Sequence, residues 1–483
     1  MRHPEEPNAG RRRALKAFGS LAVAPLPALF ASRAPAQPAF GAAYTLRAAP
    51  ATVPLLGTAG PATAVWAYNG GIPGPVLRVR QGDTLRVRVA NDLPEATTVH
   101  WHGLRLPNAM DGVPMVTQDP IAAGGAFDYA FACPDAGTFW YHPHQRSHVQ
   151  VALGLSGVLL VEEPQALDVD RDVTWVLDDW RLNRDGQLVA DFDSMFDAAH
   201  AGRIGNTVTI NGALPDRFDV VPGERIRLRL VNVANARIFA LRFEGHSPYV
   251  IAHDGMPCEP YLLRQARVLL GPGMRVDLVL DAKAAAGTTF RVIDDFFPNN
   301  AYEVVTIAYG TQAATGAGAR PAGERVKLPP NPVPPPDTDR AIRHALTLGG
   351  GMMGGGMGGG MGGGMMGGMS GMGAVWTLNG RSATEAMNGH DPLFTLERGR
   401  SHVIAIDNRT AWWHPVHLHG HSFRIVARNG RMLTRRDLCD TTLIPPRESA
   451  EIAFVADNPG DWMIHCHVLE HQATGMMATY RVA

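Results

Sequence analysis

Short runs in which apolar and polar residues alternate fill most of the chain downstream of its N-terminal segment. The run VLRVRQGDTLRVRV, from Val76 to Val89, is typical, and Gly, Pro and Asn separate such runs from one another. Alternation with a period of two predicts β-strands that bury one face, and the separating residues predict tight turns. The pattern therefore predicts an all-β protein.

One arrangement of turn and strand residues occurs three times along the chain. Each copy has an Asn-Gly pair, then a second asparagine nine residues after a glycine, and later a glycine five residues before another strand motif. Short strands in repeats of this size are typical of a Greek-key β-sandwich, so we predict three such domains, over residues 42–163, 164–310 and 374–483. The marker residues are Asn69, Asn91 and Gly137 in the first copy, Asn211, Asn232 and Gly287 in the second, and Asn379, Asn408 and Gly460 in the third.

Two segments of biased composition separate the second copy from the third. Residues 311–348 are rich in Ala, Gly and Pro and are predicted to form a linker. Residues 349–373 consist of 16 Gly, eight Met and one Ser. Because such a composition cannot build a core, we predict a mobile surface loop.

Pairs of histidines separated by one residue mark the first and third copies and are missing from the second. On an extended chain both members of a pair point to the same face. If the first and third domains face each other, eight imidazoles converge, which is enough for three copper ions, and imidazole is a good copper ligand. The pairs are His100 and His102, His142 and His144, His417 and His419, and His465 and His467.

The third copy also places a cysteine between the two members of its second pair. On a strand, Cys466 points away from His465 and His467. His414, which is an odd number of residues from His417, is expected on the Cys466 side. A thiolate with His414, His471 and the weak thioether of Met476 is the ligand set of a blue copper site. One strand would then join two metal centres through a few covalent bonds.

Four motifs together resemble the copper-binding motifs of the multicopper oxidases: HWHG at 100–103, HPH at 142–144, HPVHLHG at 414–420 and HCHVLEHQATGMM at 465–477. The resemblance implies three cupredoxin-like domains and four copper ions, one type 1, one type 2 and two type 3. It implies the following ligands: His414, Cys466, His471 and Met476 for type 1; His100 and His417 for type 2; His102, His142 and His467 for one type 3 ion; His144, His419 and His465 for the other.

The resemblance also implies a catalytic role for residues that carry electrons and protons. Electrons would pass from Cys466 to His465 or His467, and O2 would be reduced to water. Asp111 matches an acidic residue that lies beside the copper cluster in the family. Gln472 departs from the pattern, because close relatives have Glu there and an amide cannot donate a carboxyl proton.

The sequence leaves the identity of the reductant undecided among three interpretations. The chain most resembles bacterial periplasmic copper-efflux oxidases with a Met-rich insert, which implies Cu(I) as substrate, and thioethers favour Cu(I). Relatives have Asp and Met just before the type 1 His, however, where this chain has Ala411-Trp412-Trp413. A laccase-like oxidase of phenols or aromatic amines is the second reading, and a non-catalytic copper-binding protein the third. The candidate Cu(I) ligands are Met352, Met353, Met357, Met361, Met365, Met366, Met369 and Met372.

Composition and the N-terminus bear on partners and location. The 483 residues carry a net charge of -1, which argues against nucleic acid as a partner, and we expect a monomer with no membrane span. Arg11-Arg12-Arg13, a weakly apolar stretch and Ala34-Pro35-Ala36 predict a twin-arginine-type signal peptide over residues 1–36, and hence a periplasmic protein. Cys133, Cys258 and Cys439 are either free or include one disulfide.

Overall fold

The computed structural model describes residues 43–311, 325–352, 374–383 and 391–483. Strands make up 47% of the described residues and helices 6%, which confirms the predicted all-β fold. The predicted signal peptide over residues 1–36 lies outside the described residues. So do the middle of the predicted linker and all of the predicted Met-rich loop beyond Met352. Within the described ranges, no helix combines the length and the apolar character needed to cross a bilayer.

The first repeat forms two four-stranded sheets, in the orders β2-β1-β4-β6 and β3-β8-β7-β5. The second sheet carries two of the histidine pairs, because His100 lies opposite His142 in the pairing of β5 with β7. The elements are β1 Ala43–Val53, β2 Thr63–Tyr68, β3 Leu77–Arg80, β4 Thr84–Asn91, β5 His100–His102, a 3-10 turn Asn108–Met110, β6 Ala126–Ala132, β7 Gly137–His142, α1 Ser147–Gln150 and β8 Gly157–Glu162.

The second repeat forms a six-stranded sheet, β10-β9-β12-β17-β14-β15, and a five-stranded sheet, β11-β19-β18-β13-β16. The elements are β9 Arg171–Trp180, α2 Met195–Ala199, β10 Thr207–Ile210, β11 Arg217–Val220, β12 Arg225–Asn232, β13 Phe239–Phe243, β14 Tyr249–His253, β15 Met256–Leu262, a 3-10 turn Arg264–Ala266, β16 Arg267–Leu270, β17 Arg275–Asp281, β18 Thr289–Asp294, a 3-10 turn Pro298–Asn300 and β19 Tyr302–Tyr309.

The third repeat forms a seven-stranded sheet along the path β21-β20-β23-β29-β25-β26, with β27 also on β25, and a five-stranded sheet, β22-β31-β30-β24-β28. The elements are β20 Ile342–Gly350, β21 Trp376–Leu378, β22 Thr395–Leu396, β23 Ser401–Asn408, β24 His414–Leu418, β25 Phe423–Arg428, β26 Arg431–Met432, β27 Leu438–Cys439, β28 Thr441–Ile444, β29 Ser449–Val455, β30 Gly460–Cys466, α3 Leu469–Ala473 and β31 Met477–Val482.

The predicted linker over residues 311–348 is wrong at its C-terminal end. Residues 342–350 form β20, which pairs parallel with β23 and antiparallel with β21. Leu346 and Leu348 are fully buried and alternate with more exposed residues. This segment therefore has the two-residue period of a β-strand, although the flanking residues are rich in Gly and Pro. The first residues of the predicted Met-rich loop, Gly349 and Gly350, belong to the same strand.

The repeat is visible in the hydrogen bonds made by the marker asparagines. Asn-Gly pairs occupy two left-handed positions in each copy, as a type I′ turn requires; for Asn69 and Gly70 φ is 54° and 76°. The Oδ1 atom of each turn asparagine accepts a backbone N–H from the neighbouring strand at 2.7–2.8 Å. The second asparagine of each copy is buried and donates from Nδ2 to a backbone carbonyl. Local spacing in the sequence therefore corresponds to one bonding pattern repeated three times.

Buried apolar residues of the first and third repeats form one continuous core, which includes Trp101 and Trp462. The second repeat has its own core, into which β12 directs Ile226, Leu228 and Leu230. The alternate residues of β12 are arginines on the opposite face. Arg227 and Arg229 are buried there, and they pair with Glu163, Asp172 and Asp277. Of these three partners Glu163 alone belongs to the first repeat, and its pair with Arg227 holds the second repeat against the first, since breaking it would leave a buried charge.

Candidate metal centres

A cysteine and two histidines of the third repeat meet in the interior beside strands β24 and β30. The strands are antiparallel, with Val416 opposite Cys466. The Sγ atom of Cys466 lies 3.3 Å from Nδ1 of His414 and 3.6 Å from Nδ1 of His471, and the two nitrogens are 3.2 Å apart. All three side chains are fully buried. Three of the four predicted type 1 ligands therefore direct donor atoms at one point.

The outer hydrogen bond of His471 determines which of its nitrogens is free for a metal. Its Nε2–H donates to the carbonyl oxygen of His200 at 2.8 Å, so Nδ1 keeps its lone pair and faces Cys466. Burial lowers the pKa of His471 to about 3 and raises the pKa of the Cys466 thiol. A dry pocket with a thiol and two neutral imidazoles fits copper, whose charge would favour the thiolate form.

Met476, the predicted axial ligand, is held beside this group by its backbone. The Met476 N–H donates to the His471 carbonyl at 2.9 Å, and the Cys466 N–H donates to the Met476 carbonyl at 3.0 Å. The residue is fully buried in the core shared by the first and third repeats. Its backbone thus ties it to two of the three donors, and the ligand role of its thioether stays a prediction.

The eight paired histidines, four from each of the first and third repeats, occupy one buried space. Their rings stack across the boundary between the repeats, with centroids 3.8 Å apart for His102 and His417 and 3.9 Å apart for His100 and His419. Their nitrogens fall into three groups, within each of which one nitrogen per ring lies no more than 4.8 Å from the others. The groups are His100, His102 and His417; His102, His142 and His467; and His144, His419 and His465.

Two imidazole nitrogens in this cluster face each other without a proton between them. Nδ1–H of His419 donates to Oδ2 of Asp111 at 2.8 Å, and Nδ1–H of His465 donates to the carbonyl of Cys466 at 2.9 Å. The Nε2 atoms of the two rings therefore both carry lone pairs, and they lie 3.1 Å apart. Two acceptors at that distance repel each other unless a cation is near both. The residues present thus fit a metal at this position.

Further buried nitrogens support the same conclusion. Eight of them have no hydrogen-bond partner among the described residues: Nε2 of His100, His142 and His417, Nδ1 of His102, and both ring nitrogens of His144 and His467. Burial, followed by the neighbouring imidazoles, lowers the pKa of most rings of the cluster, including His102 and His144. Neutral rings with bare nitrogens in a water-poor space form the donor set that copper favours.

Two carboxylates contact the outer nitrogens of the cluster. Each of them contacts one histidine of the first repeat and one of the third. Asp111, at the end of the 3-10 turn Asn108–Met110, contacts His419, and its backbone carbonyl and Oδ1 lie 2.8 and 3.2 Å from Nδ1 of His100. Asp440 Oδ1 lies 3.2 Å from Nε2 of His102 and 3.3 Å from Nδ1 of His417. Carboxylates that orient metal-binding imidazoles are a common feature of metal sites. Asp111 had been predicted from the resemblance, whereas Asp440 had not.

The second repeat contributes two more buried charges that the sequence did not indicate. Arg275 donates to both carboxylate oxygens of Asp440, at 2.9 and 2.6 Å, and its backbone N–H donates to Asp254. Burial and the charge of Asp440 raise the pKa of Asp254 to about 7. Burial opposes ionisation of Asp440 as well, but the charge of Arg275 outweighs it and lowers the pKa of Asp440. The repeat without paired histidines therefore supports the cluster electrostatically.

Gln472, where relatives carry Glu, is fully buried close to the first repeat. Its Nε2 donates to Oγ of Ser147 at 3.3 Å, and its Oε1 has no hydrogen-bond partner among the described residues. The carboxyl two residues earlier, on Glu470, faces the second repeat instead. It accepts from Nδ2 of Asn235 at 2.7 Å and from the backbone of Arg203 at 3.0 Å.

A segment of the second repeat, residues 198–203, covers the Cys466 site. Besides the contact of His200 with His471, the indole Nε1–H of Trp376 donates to the Ala198 carbonyl at 2.6 Å, and the Trp376 ring packs on His471 with centroids 4.2 Å apart. The Met352 N–H donates to the Ala199 carbonyl at 3.0 Å. No pattern in the sequence indicated this contact of His200.

The remaining cysteines are free. Cys133, Cys258 and Cys439 are buried, and none forms a disulfide. Burial raises the pKa of Cys133 and Cys258 to about 12, so both thiols are inert. Of the two alternatives left open by the sequence, the structure supports free thiols.

A buried thiol–imidazole site that is joined through one strand to a cluster of eight imidazoles defines a copper-dependent oxidase with cupredoxin-like domains. Comparison with known proteins agrees, since the chain matches the multicopper oxidase family over residues 52–166, 171–315 and 369–483. The chain belongs to the multicopper oxidase family. Its cofactors are accordingly four copper ions, one type 1, one type 2 and two type 3.

Individual relatives cover nearly the whole chain. Multicopper oxidase MmcO from Mycobacterium tuberculosis is 32% identical over 473 residues, covering 89% of this chain and 85% of that protein. Laccase-2 from Botryotinia fuckeliana is 28% identical, covering 85% and 77%. The crystal structure of a multicopper oxidase from Pseudomonas thermotolerans is 35% identical with a TM-score of 0.80, covering 91% of this chain and 99% of that one.

Proposed function

We propose that this multicopper oxidase takes its electrons from Cu(I) and serves copper tolerance. The observation that carries the proposal is the position of Met352, the first methionine of the Met/Gly segment, which is bonded to the segment covering His471. Met352 is 59% exposed, so its thioether is available at the surface beside the type 1 site. Thioethers favour Cu(I), and seven more methionines follow within residues 353–372.

We assign the copper ligands as the sequence predicted them. His414, Cys466, His471 and Met476 would hold type 1 copper, and the two groups that contain His142 and His144 would each hold a type 3 ion. His100 and His417 would hold type 2 copper. Bound copper supplies the one-electron redox chemistry and the four-electron reduction of O2 to two waters. Bare nitrogens on neutral, buried rings support this assignment.

The protein's own contribution is the connection between the two sites. Cys466 lies between His465 and His467, so the sulfur of one site and the imidazoles of the other are separated by a few covalent bonds of one backbone segment. Strand β24 lies against β30, with His417 opposite His465, and adds a hydrogen-bonded connection. These residues hold the two sites at a fixed separation, which fast electron transfer requires.

Asp111 is the residue that we propose for proton delivery. It is buried and contacts one histidine of each repeat, so its carboxyl lies beside the cluster where O2 would be reduced. Gln472 cannot supply a proton, because an amide lacks a titrating group. Four protons per O2 must then arrive largely from the side of Asp111.

A laccase-like activity is the second candidate, and a group of aromatic side chains favours it. Phe196 is 71% exposed and stacks on His200 with centroids 4.2 Å apart, and Trp412 contacts the same ring edge-on at 5.4 Å. A phenol or aromatic amine could stack on this surface, which lies directly outside His471. A purely copper-binding role is less consistent with a complete set of predicted ligands.

We propose that the protein acts in the periplasm as a monomer. The basis is the twin-arginine-type pattern Arg11-Arg12-Arg13 followed by an apolar stretch. Twin-arginine export carries folded proteins, so copper could be bound before transport. A reporter fused to residues 1–36 that is exported only by the twin-arginine system would support this, and the mass of the purified protein in solution would test the monomer.

Deleting residues 353–372 tests the reductant. Cu(I) oxidation should lose efficiency, mainly through a higher KM, while oxidation of a bulky phenol should hold or improve. Oxygen consumption measures both. If phenol oxidation is far faster than Cu(I) oxidation in the intact protein, the laccase-like candidate replaces this proposal. If both activities are unchanged by the deletion, the segment is only a tether.

A further inference from the structure

His200 combines two contacts that belong to different parts of the protein. Its backbone carbonyl accepts the Nε2–H of His471, which is fully buried. Its side chain is half-buried and lies outside, between Phe196 and Trp412. A reductant at the surface therefore cannot touch His471 itself, and the residue next outward along the hydrogen bonds is His200.

The His200 ring is prepared to bind a metal ion. Its Nδ1 lies 2.7 Å from the Phe196 carbonyl, which can only accept, so Nδ1 carries the proton. The proton on Nδ1 leaves a lone pair on Nε2, and the carbonyl bond fixes the ring orientation. Metal-binding histidines commonly donate their other N–H to a backbone carbonyl in this way.

Two exposed methionines are connected to the residues around His200, one through backbone hydrogen bonds and the other through the chain. Met352 is bonded through its N–H to Ala199, the residue before His200, and its carbonyl accepts the indole N–H of Trp412 at 3.0 Å. Trp412 thus contacts both His200 and Met352. Met195, at the start of α2 and 49% exposed, lies one residue before Phe196, on which His200 stacks. Sulfur and imidazole donors together favour Cu(I) over hard cations.

We propose that His200, with Met352 and Met195, forms a Cu(I) substrate site whose electron leaves through the His200 carbonyl to His471. This inference rests on the proposed function and specifies its substrate site. Each Cu(I) gives up one electron and departs as Cu(II), and four electrons with four protons from solvent convert O2 to two waters.

The test is His200→Ala, which removes the ring and keeps the carbonyl bond to His471. The KM for Cu(I) should rise by at least about tenfold, as expected for loss of a metal ligand, while the blue absorption and the copper content are retained. Met352→Leu should raise the KM by a smaller factor. Met432→Leu, which changes a methionine of similar exposure (58%) on β26, is the matched control and should have no effect.

A second measurement needs no turnover. Ag(I) is a redox-inert analogue of Cu(I), and added to the oxidised holoenzyme it should shift the type 1 absorption, because His200 is bonded to His471. The shift should be lost in His200→Ala. An unchanged KM together with a retained Ag(I) shift in this variant would overturn the site. If the intact protein fails to oxidise Cu(I) but the Ag(I) shift depends on His200, the proposed function fails and the metal site stands.

Discussion

The two candidate metal centres differ in how they are assembled. The donors of the Cys466 site come from one repeat, and the segment around His200 covers them from outside. The cluster draws four histidines from each of two repeats, and Asp111 and Asp440 each contact one histidine from either side. All the type 1 donors belong to the third repeat, whereas the cluster requires histidines from the first and third repeats together. The first site should therefore tolerate damage that the second does not.

The two metal centres also differ in the charges that surround them. In the Cys466 site the direct contacts of the two histidines outside the donor group are neutral: a hydroxyl on His414, a carbonyl on His471 and an indole ring. The cluster instead has a buried ionic group, Asp254, Arg275 and Asp440, contributed by the second and third repeats. A neutral surround suits a site that only exchanges electrons, and nearby carboxyls suit a site that must also receive protons.

The largest effect should come from Cys466→Ser, which breaks the local site and spares the cluster. The hydroxyl is a poor copper ligand, so the intense blue absorption and the oxidase activity should both be abolished. Visible absorption, oxygen consumption and copper content measure the outcome. About three of four coppers should remain, because all eight cluster histidines are unchanged. A variant that oxidises substrate at the normal rate would contradict the electron path through this residue.

The converse change is Asp440→Asn, which should damage the cluster and spare the blue site. The amide cannot balance the charge of Arg275, and loss of one partner of a buried pair costs about 3–5 kcal/mol. Copper affinity of the cluster should fall about 10–100-fold, as for other carboxylates that orient metal ligands. Copper content and the type 2 EPR signal test this, and Asp461→Asn at an exposed pair is the control. Equal loss of blue absorption would contradict the separation of the two sites.

The parts set by local spacing could be predicted from the sequence, whereas the parts that form across repeats could not. The histidine pairs and Cys466 are set by spacing within short strands, so alternation and the repeat bring them together without knowledge of the fold. Asp254 and Arg275 of the second repeat meet Asp440 of the third only after the repeats dock, and no local pattern in the sequence distinguishes these three residues. His200 contacts His471 through its backbone carbonyl, which every residue type has, so the sequence cannot indicate this contact. The strand β20 was missed because its glycines and neighbouring prolines resemble a linker.

A smaller, pH-dependent effect should distinguish the ionic group. The pKa of Asp254 in the folded protein, about 7, lies above the ordinary value of about 4, so the folded state binds this proton more tightly than the unfolded state. Stability contributed by the protonated carboxyl is present below about pH 4 and is lost as pH rises to about 7. Asp254→Asn removes this pH-dependent loss of stability, because the amide does not titrate. The amide is also a weaker acceptor for the backbone N–H groups of Arg275 and Thr441.

The measurement is the thermal midpoint of the copper-free protein between pH 4 and pH 7. The difference between Asp254→Asn and the natural protein should become more favourable to the variant as pH rises, whatever its value at pH 4. Asp128→Asn, which changes an exposed carboxylate in a surface pair, should give a flat difference. A flat difference for Asp254→Asn as well would show that this carboxyl is ionised throughout.

The smallest effect is expected from Gln472→Glu, which adds a carboxyl at the position where relatives carry Glu. Gln472 is fully buried, and one of its amide atoms lacks a hydrogen-bond partner among the described residues, so a protonated carboxyl fits the same space. A general acid near the reacting oxygen can accelerate a proton-limited step, and burial would keep the new carboxyl protonated at neutral pH. Reoxidation of the fully reduced enzyme by O2 should then quicken by a few-fold, with type 1 reduction unchanged, as stopped-flow absorption would show. Gln472→Met, which has a similar volume and no proton to give, is the control for packing. An unchanged rate in Gln472→Glu with full copper content would mean that Asp111 already supplies protons faster than the electrons arrive.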